Sequence, residues 1–212
     1  MRSPIIGVAY GHDPERLKQF VKASTEITHS DPKAYYAALA VALAAYQSAG
    51  KQMPPVEKFL GTLRELLPED DAQELHELLQ RKADSTNGIS GYSYHTVPCV
   101  LQVWFDESED FAQGLQEIIK TGGDTDTAGA IYGGIVGARV GKSGIPASWL
   151  GNIIEWPRSI GWIDRLGKAV ASSEKSSAVE CPRYFVPGVL LRNLFFLLVV
   201  LTHGVRRLAP AW

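Results

Sequence analysis

Two carboxylates and a hydroxyl stand close together in Thr121-Gly122-Gly123-Asp124-Thr125-Asp126-Thr127. On a continuous helix, side chains two residues apart point about 200° from one another, so Asp124 and Asp126 could not share a ligand there. In a turn that leads into a helix they converge, and Gly122 and Gly123 permit the backbone conformations such a turn requires. Thr127 then either caps the helix or sets its hydroxyl beside the carboxylates. Oxygen donors of this kind suit hard cations such as magnesium, manganese or calcium rather than zinc. An EF-hand is excluded, because Ala128 stands where a third oxygen ligand belongs and no bidentate glutamate follows. The competing structural reading is that both aspartates simply cap a helix and favour its positive end.

The elements that must hold this motif are helical. Gly129, Gly133, Gly137 and Gly141 recur every fourth residue after it. Each costs ~1 kcal/mol relative to alanine inside a helix, so the stripe is expected to be compensated by close helix–helix packing and to do no chemistry. Asp13-Pro14-Glu15 combines an N-cap, a first-turn proline and an acid at the positive helix end, predicting a helix over 14–27 with Leu17, Phe20, Val21 and Ser24 on one stripe. Asp31-Pro32 repeats the start signal ahead of AYYAALAVALAAYQSA, whose apolar character nearly all round predicts a central helix. Weaker or shorter helices are expected at 56–66, 69–82, 97–105, 110–120 and 127–140. Residues 84–96 break the periodicity and read as a loop. Residues 142–168 read as connections and short helices anchored by Pro146, Trp149, Pro157 and Trp162. No period-two alternation is long enough for a sheet, so the fold class is all-α.

The chain has 212 residues, 45% hydrophobic and 21% charged, which is the mix of a globular protein large enough to fold without disulfides or a structural metal. A net charge of −2 with a pI near 6.2 gives no footprint for nucleic acid. Cys99 and Cys181 lack metal or disulfide spacing, which points to buried or inert thiols, a reducing compartment and cytoplasmic localisation. No signal peptide is visible at the N-terminus, where Ile5-Ile6-Gly7-Val8-Ala9 is only a short apolar stretch. The run VLLRNLFFLLVVLT at 189–202 is interrupted by Arg192 and Asn193 and falls short of the ~20 apolar residues of a spanning helix. It is expected to be a buried helix, with Phe195 and Phe196 packed on the core or on a partner subunit, and no membrane is expected as a partner.

The stretch GGDTDTAGAIYGGIVGARVG resembles the C-terminal metal motif of the ADP-ribosylglycohydrolase family, all-α hydrolases that act on ADP-ribosyl conjugates. Gly91-Tyr92-Ser93-Tyr94-His95-Thr96-Val97-Pro98 is similar to the family's segment beside the substrate pocket. Ala23-Ser24-Thr25-Glu26-Ile27-Thr28-His29-Ser30 is similar to its "SxxLTH" helix end, and Met1-Arg2-Ser3-Pro4-Ile5-Ile6-Gly7 to the end of its "NGxxMR" loop. The resemblance covers about residues 1–165. It implies an orthogonal helical bundle, truncated at its N-terminus, with a partial family domain over 1–170, a linker at 171–187 and an apolar helical extension at 188–212. By the same resemblance Asp124, Asp126 and Thr127 match ligands of magnesium, with manganese the alternative and one or two ions left open. His29 matches a residue lining the ADP-ribose pocket, Gly91 and Tyr92 fall where the nucleotide end is contacted, and Gly122 and Gly123 fall with the substrate-binding positions. The implied reaction is hydrolysis at C1″ of the distal ribose, with ADP-ribose or an ADP-ribosylated substrate as partner and metals that orient the ribose hydroxyls and position water.

The departure from the family is equally concrete. The family's earlier threonine-aspartate-aspartate cluster and its acidic catalytic residue have no counterpart here, so the chain carries half a site. Asp70 and Asp71 follow Pro68-Glu69 at an ordinary helix start, without a threonine before them, and read as a charged surface turn. The alternative function is therefore an impaired relative that serves as an ADP-ribose-binding or protein-interaction module, and the C-terminal helix offers a surface for a homo-oligomer. Other chemistry is discounted. His95 reads as a hydrogen-bonded loop residue and His76 as one of many polar groups on a helix face. Ser90 and Ser93 lack a nucleophile elbow, and no phosphate-binding glycine motif occurs.

Overall fold

The computed structural model describes residues 1–50, 52–81, 88–173 and 180–208. It divides into two compact units, Met1–Pro146 and Ala147–Trp212. Among the described residues every regular element is helical, and the sole β feature is an isolated parallel bridge between Ile89 and Gly123.

The first unit contains α1 (Ser3–Tyr10), α2 (Pro14–Glu26), α3 (Pro32–Ser48), α4 (Val56–Leu66), α5 (Glu69–Gln80), α6 (Ser93–Asp106), α7 (Phe111–Lys120) and α8 (Thr125–Val140). Two of the starts follow the capping chemistry read from the sequence, and a third uses the same chemistry at Asp110, which the sequence reading placed inside its helix. Asp13 accepts from Arg16 N at 3.1 Å, Asp31 from Lys33 N at 2.9 Å, and Asp110 from Ala112 N and Gln113 N at 3.0 and 2.9 Å. Each such cap is worth ~1 kcal/mol. Helix α3 is the axis of the unit: Leu39 to Ala45 are buried in unbroken sequence, and α1, α2, α6 and α8 pack around it. That explains why its sequence is apolar on every side and why alanine dominates, since small side chains let four neighbours approach.

Helix α1 has no strong sequence signal, yet it is one of the most intimate neighbours of α3. A Cβ on Gly7 would sit 1.9 Å from the Ala42 carbonyl oxygen. The short apolar stretch is thus a helix that seats its backbone directly on α3. Helix α6 begins at Ser93, four residues before the expected start. Thr96 ties its hydroxyl to the carbonyls of Ser90 and Tyr92 at 2.5 and 3.1 Å, winding the polar first turn that the periodicity had left as loop. Of that predicted loop, residues 84–87 lie outside the described residues.

The glycine stripe of α8 is only partly a packing surface. Gly129 and Gly133 face Leu115 and Phe111 of α7, whereas a Cβ on Gly137 or Gly141 would meet nothing within 4 Å. The glycine that α8 needs most lies outside the stripe: at Gly134 a Cβ would come within 2.6 Å of Pro4. Tyr132 pins the same helix from the other side, donating from its buried hydroxyl to Glu107 O and Asp110 O at 2.7 and 3.1 Å. Trp104, Phe59 and Phe105 form an edge-to-face cluster beneath α3, and the Trp104 indole donates to Ser48 Oγ at 3.3 Å. Cys99 is buried and desolvation pushes its thiol up; Cys181, expected to be buried or inert, is exposed.

The second unit holds α9 (Ala147–Gly151), α10 (Ile160–Ser173) and α11 (Val186–Leu208). Helix α10 is longer than the short helices expected there. Of its predicted anchors, Trp162 is half-buried and donates from its indole to Arg183 O at 3.2 Å, while Trp149 is exposed. Residues 174–179 of the predicted linker at 171–187 lie outside the described residues. The expectation of a buried apolar helix is corrected. In α11 only Gly188 is buried, and Phe195 and Phe196 are 69% and 55% exposed. The helix runs to 23 residues because it starts before and ends beyond the run counted in the sequence, and by length and composition it is long enough to cross a membrane.

Candidate functional site

The N-terminus of α8 is built by two loops laced together. Ile89 N donates to Gly122 O at 2.9 Å and Asp124 N donates to Ile89 O at 2.7 Å. Gly122 and Gly123 have φ of +71° and +76°, the left-handed region that the turn requires and that glycine alone adopts readily. A Cβ on Gly123 would lie 2.1 Å from Ile89 O, so the loops meet backbone to backbone. The result sets the Asp124 carboxylate against Gly91, where an added Cβ would stand 3.4 Å from Oδ2.

Asp124 is the N-cap of α8 in position but not in bonding, for its side chain accepts none of the free helix N–H groups. The capping reading thus fails for the residue best placed to satisfy it. Asp126 turns back instead: its carboxylate takes the Thr127 N–H at 3.0 Å. A hydrogen bond with Asp124, followed by that of the Thr127 amide, holds the Asp126 carboxyl below the usual range. The two carboxylates therefore converge, as a turn into a helix allows and a continuous helix does not.

A cleft of about 320 Å³ opens beside them, at the lower end of ligand-sized pockets (~300–1,000 Å³). Asp124, Thr127, His29 and Gly91 all line it, so residues separated by almost a hundred positions meet on one wall. Asp126, Tyr92, Gly122 and Gly123 are not among its lining residues. Asp126 is exposed at the rim, the two glycines shape the turn, and Tyr92 is 41% exposed with its ring edge-on to His95 at 5.2 Å. His29 is exposed and shares a 2.8 Å hydrogen bond through Nδ1 with Thr28 Oγ1. Two further hollows in this unit have larger volumes, but neither has a carboxylate in its lining. The chemistry, not the volume, distinguishes the cleft at α8.

Two lining residues lay in segments that the sequence reading quoted but were not assigned to the site. Arg2 donates to Ser24 O at 2.7 Å and Thr28 Oγ1 at 3.0 Å, closing the end of α2 and placing a cation in the cleft wall. Ser93 has a buried hydroxyl oxygen with no hydrogen-bond partner, and it lines the same cleft. An unsatisfied buried hydroxyl is costly, and a ligand would repair it. The signal for Ser93 was its place directly after Gly91-Tyr92. For Arg2 the signal was the similarity of Met1-Arg2 to the end of the family's loop. His95 is hydrogen-bonded as expected, to Ser90 Oγ at 2.9 Å, although on α6 and not in a loop. His76 contacts Arg64 and Gln80.

As a metal site the donors fit in kind and fall short in number. Asp124, Asp126 and Thr127 offer hard oxygens, but among the described residues no group of three His, Cys, Asp or Glu side chains converges. A magnesium ion there would draw most of its octahedron from water or substrate.

Among the described residues the first unit is an all-helical bundle whose oxygen-rich turn borders a small cleft, and neither a Rossmann nor a barrel fold. The family model described as ADP-ribosylglycohydrolase matches residues 1–178, and the chain belongs to that family. It is 28% identical over 144 residues to the ADP-ribosyl-[dinitrogen reductase] glycohydrolase of Rhodospirillum rubrum, covering 68% of this chain and 45% of that protein. It is 27% identical over 190 residues to the ADP-ribosylhydrolase ARH3 of Bos taurus, covering 70% of this chain and 51% of that one. The chain spans about half the length of these curated relatives. No solved structure matches it.

Proposed function

We propose that the cleft beside α8 binds the distal ribose of an ADP-ribosyl conjugate, and that the glycosidic bond at its C1″ carbon is hydrolysed there. The observation that carries this reading is the Asp124 carboxylate: it occupies an N-cap without capping, lies against Gly91 and borders the cleft. Asp124, Asp126 and Thr127 would hold magnesium, or manganese in its place. When bound, such an ion supplies a template for the ribose hydroxyls and Lewis-acid polarisation of water.

The remaining work falls to the chain's own groups. The Ser93 hydroxyl gains its missing partner from a sugar hydroxyl, and His29 offers a ring nitrogen at the cleft wall. Arg2 adds positive charge where a diphosphate would sit. A catalytic acid is not among these groups.

That shortage favours a second reading, in which the chain binds ADP-ribose without turning over its conjugates. Calorimetry of the full chain with ADP-ribose and magnesium, run beside a cleavage assay on an ADP-ribosylated protein, separates the two. Turnover lost in Asp124→Ala supports the hydrolase. Saturable binding without turnover supports the binding module, and absence of both overturns the site.

A further inference from the structure

Over residues 194–201 helix α11 presents apolar surface in every direction, while Arg192, His203, Arg206 and Arg207 flank that stretch on one side. Leu194, Phe195, Phe196, Leu197, Leu198 and Leu201 are all more than half exposed. Successive helical residues are turned by about 100°, so the unbroken apolar stretch 194–201 circles the axis twice and leaves no polar face. This distinguishes it from an amphipathic helix waiting for one partner. A second copy pairing through α11 would cover a stripe and leave the opposite side in water. A helix lying in a membrane surface would need a polar face, which 194–201 lacks.

We propose that α11 crosses a lipid bilayer and anchors this protein to the membrane. The whole helix, 23 residues and about 34 Å long, exceeds the ~30 Å of a hydrocarbon core. Arg192 and Arg206 are separated by about 21 Å along the helix axis. Long cationic side chains at the ends of a spanning helix extend its reach toward the ~30 Å of a hydrocarbon core by snorkelling to the headgroups. Near the helix start the Arg192 charge is paired, with Glu155 at 2.6 Å. The far end carries Arg206 and Arg207, matched to anionic headgroups.

An independent feature marks the other end. Trp156 and Phe185 meet edge-on at 6.0 Å, and Trp162 and Tyr184 do the same, just ahead of α11. Trp156, Tyr184 and Phe185 are each about half exposed. Exposed aromatic clusters at the end of an apolar helix are the residues that favour the interfacial layer.

Flotation of the full chain with vesicles of phosphatidylcholine and phosphatidylglycerol tests this. The protein should rise with the vesicles and resist both high salt and alkaline carbonate. Phe195→Lys with Leu198→Lys should release it, each lysine lowering partitioning roughly a hundredfold. The volume-swapped control, Phe195→Leu with Leu198→Phe, should float like the parent, which guards against a folding artefact. Three results would each overturn the proposal: a monodisperse protein that ignores vesicles in detergent-free buffer, a vesicle-free oligomer, or binding that salt alone reverses.

Discussion

The Asp124 amide donates to the Ile89 carbonyl at 2.7 Å, so the carboxylate turn is held by a loop that precedes it by more than thirty residues. Everything proposed for the cleft depends on that link. It fixes where α8 begins, and it brings Gly91 and Ser93 to the same wall as Asp124.

Gly123→Ala should therefore be among the most damaging single-methyl changes in the first unit. It forces an alanine to a φ of +76° and drives its Cβ onto Ile89 O. Left-handed strain alone costs ~1–2 kcal/mol, and the backbone clash adds to it. Gly137→Ala is the control, because its Cβ meets nothing within 4 Å inside a regular helix. It should stabilise by ~0.5–1 kcal/mol. Urea unfolding of the two variants checks both signs; equal effects would sink the argument for a strained turn.

Magnesium should raise the melting temperature of the parent protein and leave Asp124→Asn unmoved. Binding to the native state alone adds ~2.7 kcal/mol when the ion is at a hundred times its dissociation constant. Differential scanning fluorimetry over a magnesium series is the measurement, with calcium as the size control. A rise shared by both proteins would place the ion elsewhere.

Ser93→Ala should separate stability from binding. Removing an unpaired buried hydroxyl should leave the unliganded protein unchanged or stabilise it by up to ~1 kcal/mol. ADP-ribose affinity should drop by about five- to tenfold, the worth of one hydrogen bond. Loss of stability without loss of affinity would assign the hydroxyl a structural role instead.

The acid limb of the stability profile should depend on Arg139. Its guanidinium donates to Glu109 and to Gly50 O, tying the end of α8 to two loops. The hydrogen bond with Arg139 holds the Glu109 carboxyl below its ordinary 4.5. A depressed folded-state pKa gives stability that is complete above the unfolded value and fades as pH falls through the folded one. The melting-temperature gap between the parent and Glu109→Gln should thus be present at neutral pH and close below about pH 4.5. Glu109 is exposed, so added salt should narrow the gap as well. A gap that widens with acid would reverse the sign assigned here.

Local chemistry made much of this protein legible in its sequence. Asp13 and Asp31 act within three residues of themselves, so the starts of their helices could be read from capping. The alanine-rich segment announced a central helix because burial on all sides leaves no polar face to disguise. The oxygen-rich turn was equally visible, since its residue types and two glycines lie in one short stretch. Other features were silent for a physical reason. Helix α1 is too short for periodicity to reveal it, and it is fixed by the contact of Gly7 with Ala42. The exposure of α11 could not be read either, because a buried core helix and a lipid-facing one share one composition.

What only the tertiary structure decided is the meaning of Asp124. The sequence determined that a carboxylate would stand at the head of α8, where capping would have been a sufficient role. Whether it caps depends on the side-chain direction, which the Ile89 carbonyl and the positive φ of Gly122 and Gly123 set from outside the helix. Cap signals act over a few residues along the chain, whereas a cleft is closed by segments that meet only after the core has packed.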